Sequence, residues 1–134
     1  MFDLFNNIGL KIKIERLDLS TWDVSNVTNM SYMFYGCTLL KEVNLSTWNT
    51  SHVTTMMAMF EDCKSLKSLD LTNFDTSGVY NMKFMFSRCK SLVNLNISNW
   101  NTSKVEDMIS MFNGCKSLKE LDLSNFNTYN VKYM

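Results

Sequence analysis

One interval governs this chain. The same residue types return every 26 positions, with no insertion or deletion to break the count. Leu19, Leu45, Leu71, Ile97 and Leu123 form one column. Trp22, Trp48, Phe74, Trp100 and Phe126 form a second, Met30, Met56, Met82, Met108 and Met134 a third, and Cys37, Cys63, Cys89 and Cys115 a fourth. A unit this short cannot bury its own apolar positions. It buries them against the next copy, so the fold must be a stack of repeats in sequence order. The chain divides into a degenerate part-repeat at 1–16, four full repeats over 17–120 and an incomplete last repeat at 121–134, all in one domain.

Each repeat opens with L-x-x-L-x-L, as in Leu66-x-x-Leu69-x-Leu71. The closing alternation is that of a strand with one buried face. Copies of that strand 26 residues apart would pair in parallel, and parallel strands need a crossover, usually helical. The rest of the repeat, V-x-x-M-x-x-M-F-x-x-C, has the spacing for one. Val27, Met30, Met33, Phe34 and Cys37 fall within an arc of about 120° on a helix. Helix-capping residue types precede it (Asn49-Thr50-Ser51), and repeat four adds the capping-box pattern Ser103-x-x-Glu106. Gly36 and Gly114 suit a left-handed exit near the cysteine. At the N-terminus, a short helix is expected at Asp3–Gly9 and a first strand at Lys11–Leu19. The aromatic column sits three residues beyond the last strand leucine. There a stacked spine is expected, with the adjacent Asp23, Asn49, Asp75, Asn101 and Asn127 supplying the turn hydrogen bonds that the rings cannot.

The joint pattern L-[DN]-L-S-x-[WF]-[DN]-T-S-x-V-x-x-M-x-x-M-F-x-x-C-K-S-L, over residues 17–134, resembles the BspA-like leucine-rich repeat family. More narrowly, it is similar to the roughly 25-residue repeats first noted in mycoplasma proteins of unknown function. The resemblance implies an α/β fold: a right-handed leucine-rich-repeat solenoid with a parallel β-sheet on the concave side and short helices on the convex side. It also implies a bacterial or protist surface protein used in cell adhesion, which binds a protein partner on a host or cell surface.

The totals exclude several classes. Lys+Arg and Asp+Glu balance at 13 each, so no net charge draws the chain toward nucleic acid or an anionic membrane. No apolar run approaches a membrane span, and the start Met1-Phe2-Asp3-Leu4-Phe5 lacks the basic residues of a signal peptide. No Cys–His, Ser–His, paired-carboxylate or phosphate-cradle constellation is present, so neither enzyme activity nor a cofactor is expected. The cysteines lie too far apart in sequence for a zinc motif and read as a ladder of buried thiols, with disulfides between rungs disfavoured by the spacing of outer helices. Most of the 11 methionines share the apolar arc, which makes them core. His52 shares a column with Asn26, Gly78, Lys104 and Asn130, a set that fits only solvent.

The candidate site is the polar side of the strands. Its residues are Asp18, Glu42, Asn44, Asp70, Asn94, Asn96, Glu120 and Asp122, flanked by a lysine band (Lys41, Lys64, Lys67, Lys90, Lys116, Lys119). The leading reading is a non-enzymatic protein-binding module, with exchange of Asp70 and Asp122 for Lys as its test. The alternative is a structural subunit whose copies associate head to tail through uncapped ends.

Overall fold

The computed structural model describes residues 13–134. The helix expected at Asp3–Gly9 and the start of the strand expected at Lys11–Leu19 lie outside those residues. Four strands form: β1 (Arg16–Asp18), β2 (Glu42–Asn44), β3 (Ser68–Asp70) and β4 (Asn94–Asn96). They pair in parallel as two separate two-stranded sheets, β1 with β2 and β3 with β4. Leu17 lies opposite Val43, and Leu69 opposite Leu95. The pairing separation is the repeat length. On the other side of the repeat a single-residue parallel ladder runs through Asn29, Thr55, Asn81, Asp107 and Tyr133.

The leucine-rich-repeat solenoid is not what the chain builds. Among the described residues there is no helix, and regular strand is limited to the four short pieces above. The V-x-x-M-x-x-M-F-x-x-C crossover is a run of tight turns, and its hydrogen bonds explain why. The amides of Met30, Tyr32, Phe34 and Gly36 leave their own repeat and donate to Thr55, Met57, Met59 and Glu61 carbonyls in the next. Between them, Met33, Tyr35 and Cys37 donate back three residues, to Met30, Tyr32 and Phe34. Every second amide is committed to a neighbour, so the i→i−4 ladder of a helix cannot form. The alternation needs left-handed backbone. Tyr32, Ala58, Phe84 and Ser110 have φ of 62°, 53°, 57° and 52°, and Gly36, Asp62, Arg88 and Gly114 follow four residues on at 72°, 62°, 60° and 76°. An L-residue at such a position costs on the order of 1 kcal/mol, which the inter-repeat bonds offset.

The capping residues serve different ends. Asp23, Asn49, Asp75, Asn101 and Asn127 accept the amide two residues on through Oδ1. These are Asx turns, as the sequence implied. The threonine between clamps repeats together. Thr76 Oγ1 donates to the Asn101 carbonyl at 3.0 Å and accepts the Asn101 amide at 2.9 Å. Thr50 and Thr102 do the same one repeat to either side. Glu106, the expected capping-box acid, pairs instead with Lys132 of the next repeat at 2.8 Å.

The apolar columns meet in one core. Met30, Phe34, Met56, Phe60, Met82 and Phe86 are fully buried. Each such side chain contributes roughly 1.5–3 kcal/mol. The unbroken aromatic stack is the Phe34–Phe60–Phe86–Phe112 column, with centroids 5.2, 5.8 and 5.6 Å apart and planes within 8°. The Trp/Phe column stacks between Trp48 and Phe74, at 6.4 Å. Its tryptophans also reach across repeats. Trp48 Nε1 donates to the Leu19 carbonyl at 3.0 Å, and Trp100 Nε1 to the Leu71 carbonyl at 3.2 Å. Each indole ties its repeat to the one before.

Candidate functional site

Two large open grooves lie on the strand side of the described residues. One, of about 590 Å³, runs across repeats one to three and is lined by Arg16, Leu17, Asp18, Glu42, Val43, Asn44, Ser68 and Asp70. The other, of about 530 Å³, runs across repeats two to four and is lined by Ser68, Leu69, Asp70, Val93, Asn94, Leu95, Asn96, Lys119 and Glu120. Asp70 borders both. Seven of the eight candidate residues are thus brought to groove walls. Asp122 lines neither. The β-strand alternation does this placement: polar residues at both ends of each three-residue strand are exposed, and the apolar one between them is partly or wholly buried.

The aspartates and asparagines of this face are also structural. Asp18, Asn44, Asp70, Asn96 and Asp122 each accept the amide two residues on, from Ser20, Ser46, Thr72, Ser98 and Ser124. Asp70 Oδ1 takes the Thr72 hydroxyl as well, at 2.8 Å, and Asn44 Nδ2 donates to Asp18 Oδ1 at 3.0 Å. The Ser20 amide and hydroxyl hold the Asp18 carboxyl below the usual range, and the Ser124 hydroxyl and amide do the same for Asp122. Glu42 and Glu120 close no turn. Glu42 meets Arg16 at 3.4 Å, both side chains largely in solvent.

Elsewhere the sequence-marked residues are placed as follows. Cys37, Cys63 and Cys89 are buried and Cys115 partly so, and the last three form no disulfide among the described residues. Cys63, Cys89 and Cys115 donate their Sγ–H to Phe34, Phe60 and Phe86 carbonyls of the preceding repeat. Burial pushes the Cys37 thiol up to about 11 and raises the other three. His52 is exposed and its Nδ1 lies 2.9 Å from the Ser25 carbonyl. Among the described residues no group of three or more His, Cys, Asp or Glu could hold a metal ion. No helix among them is long and apolar enough to cross a membrane.

A cluster that sequence reasoning missed lies in the crossover turns. Arg88 Nη2 sits 2.9 Å from Glu61 Oε1 and 2.6 Å from Asp62 Oδ2. Glu61 is buried, and desolvation raises its pKa against the pull of Arg88. Lys64 Nζ stands 3.4 Å from Asp62 Oδ1, near enough for charge attraction but not placed as a hydrogen bond, so that buried oxygen has no donor. The signal was faint: Glu61, Asp62 and Arg88 break columns otherwise held by Tyr, Ser, Asn and Gly.

With the repeat geometry in place, the family comparison is decisive. A protein-family model described as Mycoplasma protein of unknown function, DUF285, matches residues 1–95 and again 66–134. The chain belongs to this family. The DUF285 match supports the mycoplasma-repeat half of the resemblance and does not show a BspA-like leucine-rich repeat. Searches of curated proteins and of solved structures found no match to this DUF285 chain.

Proposed function

We propose that this DUF285 chain is a non-enzymatic protein-binding module whose two strand-side grooves take an extended, basic segment of a protein partner. The observation that carries the reading is the shared wall at Asp70, with acidic residues spaced along both grooves (Asp18 and Glu42 in one, Glu120 in the other) and partly buried apolar floors at Val43 and Leu95. Complementary charge steers such a segment, and the apolar floor gives it side-chain contact. The finer resemblance to BspA-like repeats adds an adhesin-like role at a cell surface.

The turn bonds change which substitutions test this. A lysine at Asp70 or Asp122 would remove an Asx turn along with the charge. Asp70→Asn keeps the acceptor oxygen, and Glu42→Gln and Glu120→Gln touch no turn. The triple variant should keep its circular dichroism and lose most of its binding to basic peptides selected by the wild type from a random peptide library. Asp122→Asn should bind them as the wild type does. Selection of peptides without basic residues, or undiminished binding by the triple variant, would refute the reading.

A second reading, head-to-tail association of copies, is favoured by one observation. Met108, Met111, Phe112, Phe126 and Met134 line an apolar groove of about 580 Å³ beside repeat four. The Ser110, Phe112 and Gly114 amides, equivalents of those that tie each earlier repeat to the next, donate no hydrogen bond among the described residues. Sedimentation that shows only monomer up to high protein concentration would exclude this reading.

A further inference from the structure

We propose that a row of lysines at the crossover turns, Lys64, Lys90 and Lys116 with Lys67 and Lys119 beside them, binds a linear acidic polysaccharide. The inference does not rest on the strand-side reading; Lys119, which also lines the second groove, is the residue the two share. The first three occupy one slot in three successive repeats. Their turns are clamped in register: the Asp62 amide donates to the Ser87 carbonyl at 2.9 Å, the Arg88 amide to the Asn113 carbonyl at 2.6 Å, and Ser117 Oγ to the Lys90 carbonyl at 2.8 Å. Backbones paired in this way lie about 4.8 Å apart, so the ammonium groups leave the surface at near-regular intervals along one line.

The charge in this row is not neutralised internally. Lys41 and Lys132 pair with Glu15 and Glu106 at 2.8 Å. Lys67, Lys90, Lys116 and Lys119 are exposed and make no ion pair among the described residues, and Lys64 has only its 3.4 Å contact with Asp62. A chain with as many acids as bases has thus left four cations unpaired in one place. Like charges held in register repel unless anions cover them, and a linear polymer with anionic groups along its length covers several at once. The occupant's class follows from what surrounds the row. Residues 62–67, 88–93 and 114–119 contain no aromatic side chain. A surface for single-stranded nucleic acid offers rings for base stacking, and this row offers none. Cations that recur once per repeat along a line match an acidic glycan, whose charges recur along its length; the Ser65 and Ser117 hydroxyls already donate to the Thr38 and Lys90 carbonyls, at 2.7 and 2.8 Å, so the lysines carry the contact.

The test uses dextran sulfate as the probe, with uncharged dextran beside it, and biolayer interferometry on the full chain. Wild type should bind dextran sulfate and not dextran, and should release it at roughly 0.5 M salt, where screening acts within a few ångströms. Lys90→Ser/Lys116→Ser should weaken binding by roughly tenfold or more, each lysine adding to attraction for an anionic surface. Lys83→Ser/Lys104→Ser, the same loss of net charge away from the row, should change it by less than about twofold. Lys90, Lys104 and Lys116 are exposed and Lys83 is half-buried over the Phe84 ring, so circular dichroism, expected unchanged, is checked for both double variants. An equal loss in both double variants would overturn the proposal by making net charge sufficient. So would undiminished binding by Lys90→Ser/Lys116→Ser, or tighter binding of a single-stranded oligonucleotide than of dextran sulfate. Asp70→Asn/Glu42→Gln/Glu120→Gln should leave dextran sulfate binding undiminished, which separates this site from the strand-side grooves; loss of it there would overturn the assignment to the row.

Discussion

Replacing Thr76 by Val should destabilise the chain by about 2 kcal/mol. Valine fills the same volume, so no cavity term arises. Two hydrogen bonds disappear: Thr76 Oγ1 to the Asn101 carbonyl at 3.0 Å, and the Asn101 amide to Thr76 Oγ1 at 2.9 Å. Each contributes about 1 kcal/mol net, and the cost rises toward about 3 kcal/mol if water cannot reach the orphaned groups. Thr76 is 1% exposed, which favours the higher figure. For a chain of this size the shift in Tm should be roughly 6–10 °C. The assay is urea unfolding followed by tryptophan fluorescence, with the slope m checked for constancy because stacked repeats can unfold in parts. An internal control exists. Thr128 occupies the same column but is exposed and makes no side-chain hydrogen bond among the described residues, so Thr128→Val should be near neutral. Val24 already fills the slot in the first repeat. A Thr76→Val stability within about 0.5 kcal/mol of wild type, or a Thr128→Val loss as large as that of Thr76→Val, would refute the clamp.

Iodoacetamide at pH 8 should label Cys63 and Cys89 in the folded protein far more slowly than Cys115, because burial raises both thiols; rapid labelling of Cys63, read by mass spectrometry, would contradict this. The Ser77 hydroxyl and amide hold Asp75 below its usual pKa, as the Ser25 hydroxyl and amide hold Asp23. Their stabilisation is complete above the unfolded value of 3.8 and is lost as pH falls through the folded value. Asp23→Asn/Asp75→Asn keeps both turns and should flatten the acid side of the stability profile below about pH 4; an unchanged slope in urea midpoints counts against it. Arg88→Met removes the counter-charge from buried Glu61 and should cost about 1–2 kcal/mol at pH 7. Glu61 has a raised pKa, so its charged form is the destabilised one, and the deficit relative to wild type should shrink as pH falls toward 4.5. A deficit that grows on acidification would show that Glu61 is not its source.

The repeat arithmetic carried the register of the stack, because a constant interval leaves only one way to align neighbouring copies. Leu17 opposite Val43 follows directly from it. The crossover was misread because Met30, Met33, Phe34 and Cys37 share a face in a helix and also in consecutive three-residue turns. A spacing of three serves both. What separates the two is the sign of φ at the positions equivalent to 32 and 36 in each repeat, where Tyr, Ala, Phe and Ser stand in one column and Gly, Asp, Arg and Gly in the other. Only the glycines and the aspartate hint at left-handed backbone, and the sequence reading used Gly36 and Gly114 for a helix exit: the right conformation in the wrong context. The strand-side candidates were legible by alternation. Their second job in the Asx turns was not read there, although the same serine two residues on was visible beside the aromatic column. The Arg88 cluster depends on contacts between columns that no single repeat displays.

The alternating amides of the crossover have one further effect. In repeat two the Met56, Ala58, Phe60 and Asp62 N–H groups all aim toward repeat three, where Asn81, Lys83, Met85 and Ser87 carbonyls face back; at the start of the crossover the Thr54 amide runs the other way, to Thr28. Repeat three copies the arrangement toward repeat four. Peptide dipoles aligned in this way add, as they do along a helix axis, but here the sum runs across the chain direction from one repeat to the next. The stack therefore has an electrical axis that lengthens with every copy. Whatever packs against the Ser110, Phe112 and Gly114 amides meets its positive pole, and carbonyl oxygens or carboxylates are favoured there.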